Sequence, residues 1–205
     1  MHIETGARRG GWLLAVMAWL MSACASLPTP TPVAEQARLW QQRQVELSRL
    51  EHWVVSGRIG IQSEDTGWHT SLRWQQDGDE FRIALNAPLG QGSAQLQGGS
   101  RQVELVMGDG QRLTAADPDS LINRALGTPV PVSGLRYWVR GLPVPALAAT
   151  HELDNRGRLA WLEQSGWRIT FHRYETVAGH ELPTKIFLDN AHYKVRLIFD
   201  SWVLS

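Results

Sequence analysis

A chain of 205 residues with 20 basic and 20 acidic side chains has no net charge, so it lacks the basic stripe a nucleic-acid partner would require. Its single cysteine rules out an internal disulfide framework and leaves stability to the core. Ten tryptophans supply broad amphipathic surface, suited to a dry core or a lipid pocket.

Arg8 and Arg9 precede an uncharged apolar run from Trp12 to Met21, and small residues follow it. The run is far shorter than the roughly 20 residues a membrane-spanning helix needs, so residues 1–23 read as a secretion signal. Cys24 directly follows Ser22-Ala23, where a bacterial lipoprotein signal places the thiol that is acylated before cleavage. Leu20-Met21-Ser22-Ala23-Cys24 resembles such a lipobox, with Met21 where Leu is commoner. The alternative is a lone core cysteine behind an ordinary signal, but the polar, Pro-rich sequence after Cys24 offers no core to bury it. Residues 24–33 are therefore expected to be a lipidated cysteine and an extended tether, and residues 34–205 a single domain.

Ala34 to Leu50 places Ala37, Trp40, Val45 and Leu47 at loosely helical spacing without internal Gly or Pro. Its polar face is rich in Gln and mixed charge, which suits packing on the domain better than lying in a membrane interface. From His52 the period becomes two. Trp53, Val55, Ile59 and Ile61 share one parity opposite Ser56, Arg58 and Gln62, followed by Trp68, Thr70, Leu72 and Trp74, and then by Phe81, Ile83 and Leu85 after a turn at Asp77-Gly78-Asp79. The pattern continues through Ala94 and Leu96, Val103 and Leu105, and Arg112 to Ala115, giving an antiparallel meander of six short strands.

Asp117-Pro118 then supplies an N-cap with proline at the first helical position, and Leu121, Ile122, Ala125 and Leu126 follow at helical spacing up to Gly127. Ser133 is the candidate cap of a second short helix carrying Leu135, Trp138 and Val139. Alternation returns with Leu159 and Trp161, then Trp167, Ile169 and Phe171, then Ile186 and Leu188, then Tyr193, Val195, Leu197 and Phe199, with Trp202 closing the chain. The class is mainly β (α+β). So wide a one-faced antiparallel sheet is expected to curl into a barrel or half-barrel, with helices available to cover its open side. Two interiors fit this pattern, a filled core or a cavity for an apolar guest, and pattern alone favours the filled core.

Enzymatic and metal chemistry find little purchase. There is no His-Glu-x-x-His, no cysteine ligand pair and no Gly-x-Ser-x-Gly elbow. Gly90-Gln91-Gly92-Ser93 leads into a strand and not into a helix N-terminus, so it lacks the geometry of a phosphate cradle. Paired carboxylates for glycoside chemistry would need a polar cleft, and the inward faces read apolar. No catalytic or metal residues are expected.

Five segments in order are similar to the LolB family, the outer-membrane lipoprotein receptors of the Lol localisation pathway. They are Trp74-Gln75-Gln76, Asn86-Ala87-Pro88-Leu89-Gly90, Gly110-Gln111-Arg112-Leu113-Thr114-Ala115, Gly127-Thr128-Pro129-Val130-Pro131 and Leu135-Arg136-Tyr137-Trp138-Val139-Arg140-Gly141-Leu142-Pro143, with Asp200-Ser201-Trp202 at the end. The resemblance spans nearly all of residues 24–205. It implies an unclosed antiparallel β-barrel of about 10–11 strands with an α-helical lid over a hydrophobic cavity. It also implies a task without catalysis, in which acylated lipoproteins are taken from the periplasmic carrier LolA and released into the inner leaflet of the outer membrane. The expected partners are LolA, lipoprotein cargo and outer-membrane lipid, with no nucleic acid, a monomeric state and no cofactor beyond the N-acyl and diacylglycerol lipid on Cys24. Ala25, in place of an aspartate after the cysteine, is what the family's sorting logic expects for outer-membrane delivery.

The residues fit that task. An acyl-chain cavity is expected from Trp53, Val55, Ile59, Trp68, Leu72, Trp74, Phe81, Ile83, Leu85, Leu96, Leu105, Trp161 and Ile169, with Trp138 on the lid. Pro88 and Gly90 suit a tight turn that exposes Leu89, and in the family a protruding leucine in this loop promotes insertion of cargo into the membrane. Two alternatives remain, a lipoprotein of the same fold that binds another amphiphile and an assembly scaffold with a filled core.

Overall fold

The computed structural model describes residues 32–86, 92–127 and 130–205. The signal, Cys24 and nearly all of the tether lie outside the described residues, as do Pro88, Leu89 and Gly90. Three helices occur among the described residues: α1 (Val33–Ser48), α2 (Pro118–Leu126) and α3 (Val132–Trp138). Eleven strands accompany them. They are β1 (His52–Gln62), β2 (Gly67–Asp77), β3 (Glu80–Asn86), β4 (Ser93–Gly98), β5 (Val103–Met107), β6 (Arg112–Ala115), β7 (Ala149–Leu153), β8 (Leu159–Gln164), β9 (Trp167–Val177), β10 (His180–Asp189) and β11 (Lys194–Leu204).

The strands form one antiparallel sheet in the order β6-β5-β4-β3-β2-β1-β11-β10-β9-β8-β7, so β6 and β7 are unpaired edges and the barrel is not closed. Within each half, neighbours in space are neighbours in sequence, as hairpin turns require. The halves meet where β1 pairs with β11 over ten positions, from Trp53 opposite Leu204 to Gln62 opposite Lys194. That seam carries a bulge at Ser56/Gly57, and β11 accordingly buries Phe199 and then Trp202, three residues apart, in place of strict alternation.

The inner face is apolar along the sheet, but its two halves are filled differently. The half formed by β8–β11 is a dry core built on Leu162, Ile169, Ile186, Leu188 and Val195, all 0% exposed. Gln164 is the polar hub of this half. Its Oε1 accepts from Trp138 Nε1 at 2.9 Å and from the Val144 amide at 2.8 Å, while its Nε2 donates to the Val144 and Leu147 carbonyls. A buried amide with every hydrogen-bonding group used fixes α3 and the following loop to the sheet.

Helix α1 packs on this half through Trp40 and Leu47, two turns apart, and Arg43 reaches Glu181 at 2.7 Å. Val45, expected on the apolar stripe, is instead 54% exposed. Helix α2 starts as its sequence requires, with Asp117 Oδ1 accepting from the Ser120 amide at 2.8 Å. Helix α3 starts differently. Its N-cap is Pro131 with no side-chain cap, because the Ser133 amide donates instead to Asp119 Oδ1 of α2 at 2.9 Å. Burial pushes the Asp119 carboxyl up, against the lowering effect of its bonds from Ser133.

Arg140 couples α1 to the end of α3. It is 5% exposed, and its guanidinium donates to the Leu47, Leu50 and Arg136 carbonyls at 3.1, 2.8 and 3.1 Å. Burial, assisted by the neighbouring Arg136 charge, lowers its pKa to about 10. Arg140→Met removes the side-chain donor from these carbonyls at the end of α1 and in α3, and among the described residues only that of Leu47 keeps a backbone donor, the Leu50 amide at 3.2 Å. The expected loss is about 2 kcal/mol, measured by urea unfolding, with α1 loosening first in hydrogen exchange. An unchanged midpoint would show that water replaces the guanidinium without penalty.

Candidate lipid-binding cavity

The other half of the inner face, formed by β1–β5, is not filled. Alternation on these strands points Ile59, Ile61, Trp68, Leu72, Trp74, Ile83, Leu85, Leu96 and Leu105 to one side, and α2 and α3 lie over them. Between sheet and helices remains a cavity of about 70 Å3. Ala94, Met107 and Leu197 complete the sheet side, and Ile122, Val130, Val132 and Leu135 form the roof. Every lining side chain is apolar, so the site offers dispersion and exclusion of water but no directional bond. Trp68 is its most exposed lining residue, 37% accessible.

Of the residues expected to line an acyl-chain site, Ile59, Trp68, Leu72, Trp74, Ile83, Leu85, Leu96 and Leu105 are brought together here. The rest require correction. Trp53 lies behind the cavity, 1% exposed, with its ring tilted against Trp74 and Trp202 at centroid distances of 5.3 and 5.4 Å. Val55 and Ile169 are 0% exposed in the packed core. Phe81 is half-buried at the far end of β3, opposite Gln76 and Gly98. Trp138 is fully buried but is committed to Gln164 and does not face the cavity.

Trp161 stands on the outer face, where its Nε1 donates to Glu152 Oε2 at 2.8 Å and the Arg168 guanidinium lies 4.2 Å from its ring. A register shift at Glu152/Leu153 puts both Leu159 and Leu162 inside, which reverses the parity of Trp161. The residues missed by sequence reasoning include Ile61 and Leu197, which carried the right parity, and Ile122, which carried the right helical spacing. Ala94 shared the parity of Leu96 but, like Met107, Val130 and Val132, carried no signal that separates a cavity wall from a packed core, which only the opposite wall decides.

Among the described residues, the roof is tied to the sheet by a small set of side-chain bonds. Arg124 Nη2 donates to the Thr114 carbonyl at 2.6 Å, Tyr193 Oη to the Gly127 carbonyl at 3.1 Å, and Arg136 pairs with Asp79 at 3.1 Å while donating to the Gly78 carbonyl at 2.9 Å. The first two are exposed and the third partly so, and bonds of this kind contribute about 1 kcal/mol or less each. A larger concavity of about 930 Å3 lies near the β2–β3 and β4–β5 turns, but Gln75, Asp77, Glu80, Arg82 and Arg101 wall it and suit solvent. Among the described residues, no group of three or more His, Cys, Asp or Glu side chains is placed to hold a metal ion.

The model of the family described as outer membrane lipoprotein LolB matches residues 51–202. The outer-membrane lipoprotein LolB of Nitrosococcus oceani is 41% identical over 187 residues, covering 91% of this chain and 93% of that protein. Its counterpart from Alkalilimnicola ehrlichii is 37% identical over 200 residues, covering 97% and 99%. That from Pseudomonas aeruginosa is 36% identical over 185 residues, covering 89% and 90%. Among solved structures, a LolA superfamily protein from Nitrosomonas europaea superposes with a TM-score of 0.54 at 8% identity, covering 83% of this chain and 93% of its own. A putative outer membrane lipoprotein-sorting protein domain from Vibrio parahaemolyticus gives 0.55 at 8% identity, covering 84% and 93%. These two share the fold.

Proposed function

The chain belongs to the LolB family of outer-membrane lipoproteins, and from that membership we propose that it accepts acylated lipoproteins from the carrier LolA and inserts them into the inner leaflet of the outer membrane. The lipid-anchored Cys24 would hold it at the periplasmic face of that membrane. The observation that supports this reading best is the wholly apolar cavity between the sheet and a weakly tethered helical roof.

Burying an acyl chain is worth about 0.8 kcal/mol per CH2, so a multiply acylated protein needs a shield while it crosses water. An apolar cavity supplies that shield without catalysis, and the bilayer, which covers the chains entirely, is the deeper sink. At about 70 Å3 the cavity is far below the roughly 300–1,000 Å3 of pockets that take up a sizeable apolar ligand. This conformation is therefore the collapsed one, and cargo entry requires the roof to move. The C-terminal end of α3 is held by Trp138 and Arg140 in the packed core, whereas α2, apart from the apolar contacts of Leu121 and Ile122 and its link from Asp119 to Ser133, is tied to the sheet only by the exposed bonds to Thr114 and Tyr193 among the described residues. The roof is thus expected to lift from the α2 side and pivot on α3.

Transfer between purified LolA, an acylated cargo and liposomes tests the reading. The wild type is expected to take cargo from LolA and pass it to lipid. Leu89→Glu is expected to accept cargo normally but to deliver it at least about fivefold more slowly, since a carboxylate is costly to carry into hydrocarbon. Failure of the wild type to accept cargo would overturn the receptor reading and favour a different amphiphile.

A further inference from the structure

The outer face of the sheet beside the β1–β11 seam is basic, although the chain as a whole is neutral. Lys194 stands opposite Gln62, and Arg196 opposite Gly60. On the other side of β11, Lys185 stands opposite Ile198 and, across a bulge, opposite Arg173 of β9. Arg58 is paired with Asp200 at 3.3 Å, and Arg168 with Glu163. By contrast, Arg173, Lys185, Lys194 and Arg196 have no ion pair with a carboxylate among the described residues; Asp189, across from Lys194 in register, offsets one charge without forming a pair. Two of these cations converge on half-buried Phe187, with the Arg196 guanidinium 4.6 Å and the Lys185 ammonium 5.2 Å from its centroid, and the His172 ring lies 4.3 Å away.

A second observation comes from the rim. A concavity of about 410 Å3 runs from Trp68 and His69 to Lys194 and Arg196, so the exposed tryptophan of the apolar cavity also borders the basic face. An aromatic side chain with a wet edge beside two cations that form no ion pair among the described residues has the chemistry of the boundary between lipid headgroups and acyl chains. Glu64 and Asp65, exposed at the β1–β2 turn, line the tip end of the same concavity and oppose entry of the hairpin tip into an anionic surface.

We infer that the outer face of β1, β10 and β11 is the surface on which the domain rests sideways against anionic phospholipid headgroups, with Trp68 at the headgroup boundary. The inference assumes the family's outer-membrane location and goes beyond the receptor reading, because it assigns an orientation. It brings the wall of the cavity beside the bilayer while the acidic turn stays in water.

The test uses the full acylated chain reconstituted in phosphatidylethanolamine vesicles with or without phosphatidylglycerol. An environment-sensitive dye is placed on Gln62→Cys, and in a separate protein on Ser100→Cys in the distant β4–β5 turn. The dye at position 62 is expected to shift to the blue only with phosphatidylglycerol, and the dye at position 100 in neither lipid. Lys194→Gln with Arg196→Gln is expected to lower the ratio of lipid-contacting to free domain about fivefold per cation removed, and added salt to reverse the wild-type shift. An unchanged thermal midpoint shows that the double variant is folded, and the salt series tests the inference in unsubstituted side chains. A shift without phosphatidylglycerol, an equal shift at both positions, or a shift driven by LolA in place of lipid would overturn it. Cargo acceptance is read in the same samples. Its loss with the lipid contact intact sinks the receptor reading alone.

Discussion

Ala94→Phe is expected to preserve the fold and to reduce cargo acceptance from LolA more than about tenfold. Ala94 is half-buried on the inner face of β4, between Leu85 and Met107, and all three line the cavity. A phenyl group there projects into a space of about 70 Å3 that no side chain fills, and Met107 is flexible enough to yield to it. Overpacking at such a site costs about 1–3 kcal/mol, which the domain survives. The ring also occupies volume the acyl chains need. Excluding only two methylenes forfeits about 1.6 kcal/mol of burial, already more than a factor of ten in affinity. The control is Gln95→Phe, one residue on and facing the other side of the strand, which is expected to leave acceptance unchanged. Equal acceptance by both variants would mean that the chains bind elsewhere.

Gly57→Ala is expected to be severely damaging for the addition of a single methyl group. A Cβ at this position would lie 2.1 Å from the Ile198 carbonyl oxygen and 2.7 Å from the Phe199 Cα. Both neighbours are backbone atoms of β11, so no rotamer change relieves the clash. The bulge must open or the strands must part, and this is the seam that joins the two halves of the sheet. The expected loss is at least about 3 kcal/mol, at the upper end of overpacking effects. In a domain of this size that lowers the thermal midpoint by roughly 6–12 °C. Gly60, three residues along the same strand, is the comparison, since a Cβ there would meet nothing closer than 3.8 Å. A loss at Gly57 no greater than at Gly60 would show that the seam is free to slide.

Much of the architecture is written locally. Period-two alternation with turns at Asp77-Gly78, Asp109-Gly110, Asn155-Arg156-Gly157 and Ser165-Gly166 specifies the hairpins, because a strand with one dry face and a tight turn has few other options. The Asp117-Pro118 start of α2 is equally local, since the capping oxygen and the amide it satisfies lie three residues apart. The cavity-facing parity of Ile59, Leu72, Trp74, Ile83 and Leu96 follows from the same alternation.

What the tertiary structure decided are the features that join distant segments. The seam between β1 and β11 pairs residues about 140 apart in sequence, and its bulge makes Gly57 indispensable for a reason no neighbour in sequence reveals. Trp161 faces outward because a register shift between β7 and β8 reversed its parity, and Trp138 left the lid for the core because Gln164 was there to take its N–H. Helix α3 begins without a cap of its own because Asp119 of the preceding helix supplies the acceptor. The cavity itself is of this kind. Alternation determines that a side chain points inward, but whether it meets a neighbour or an empty space depends on the distance between sheet and roof, and only the packing of α2 and α3 over β1–β5 sets that distance.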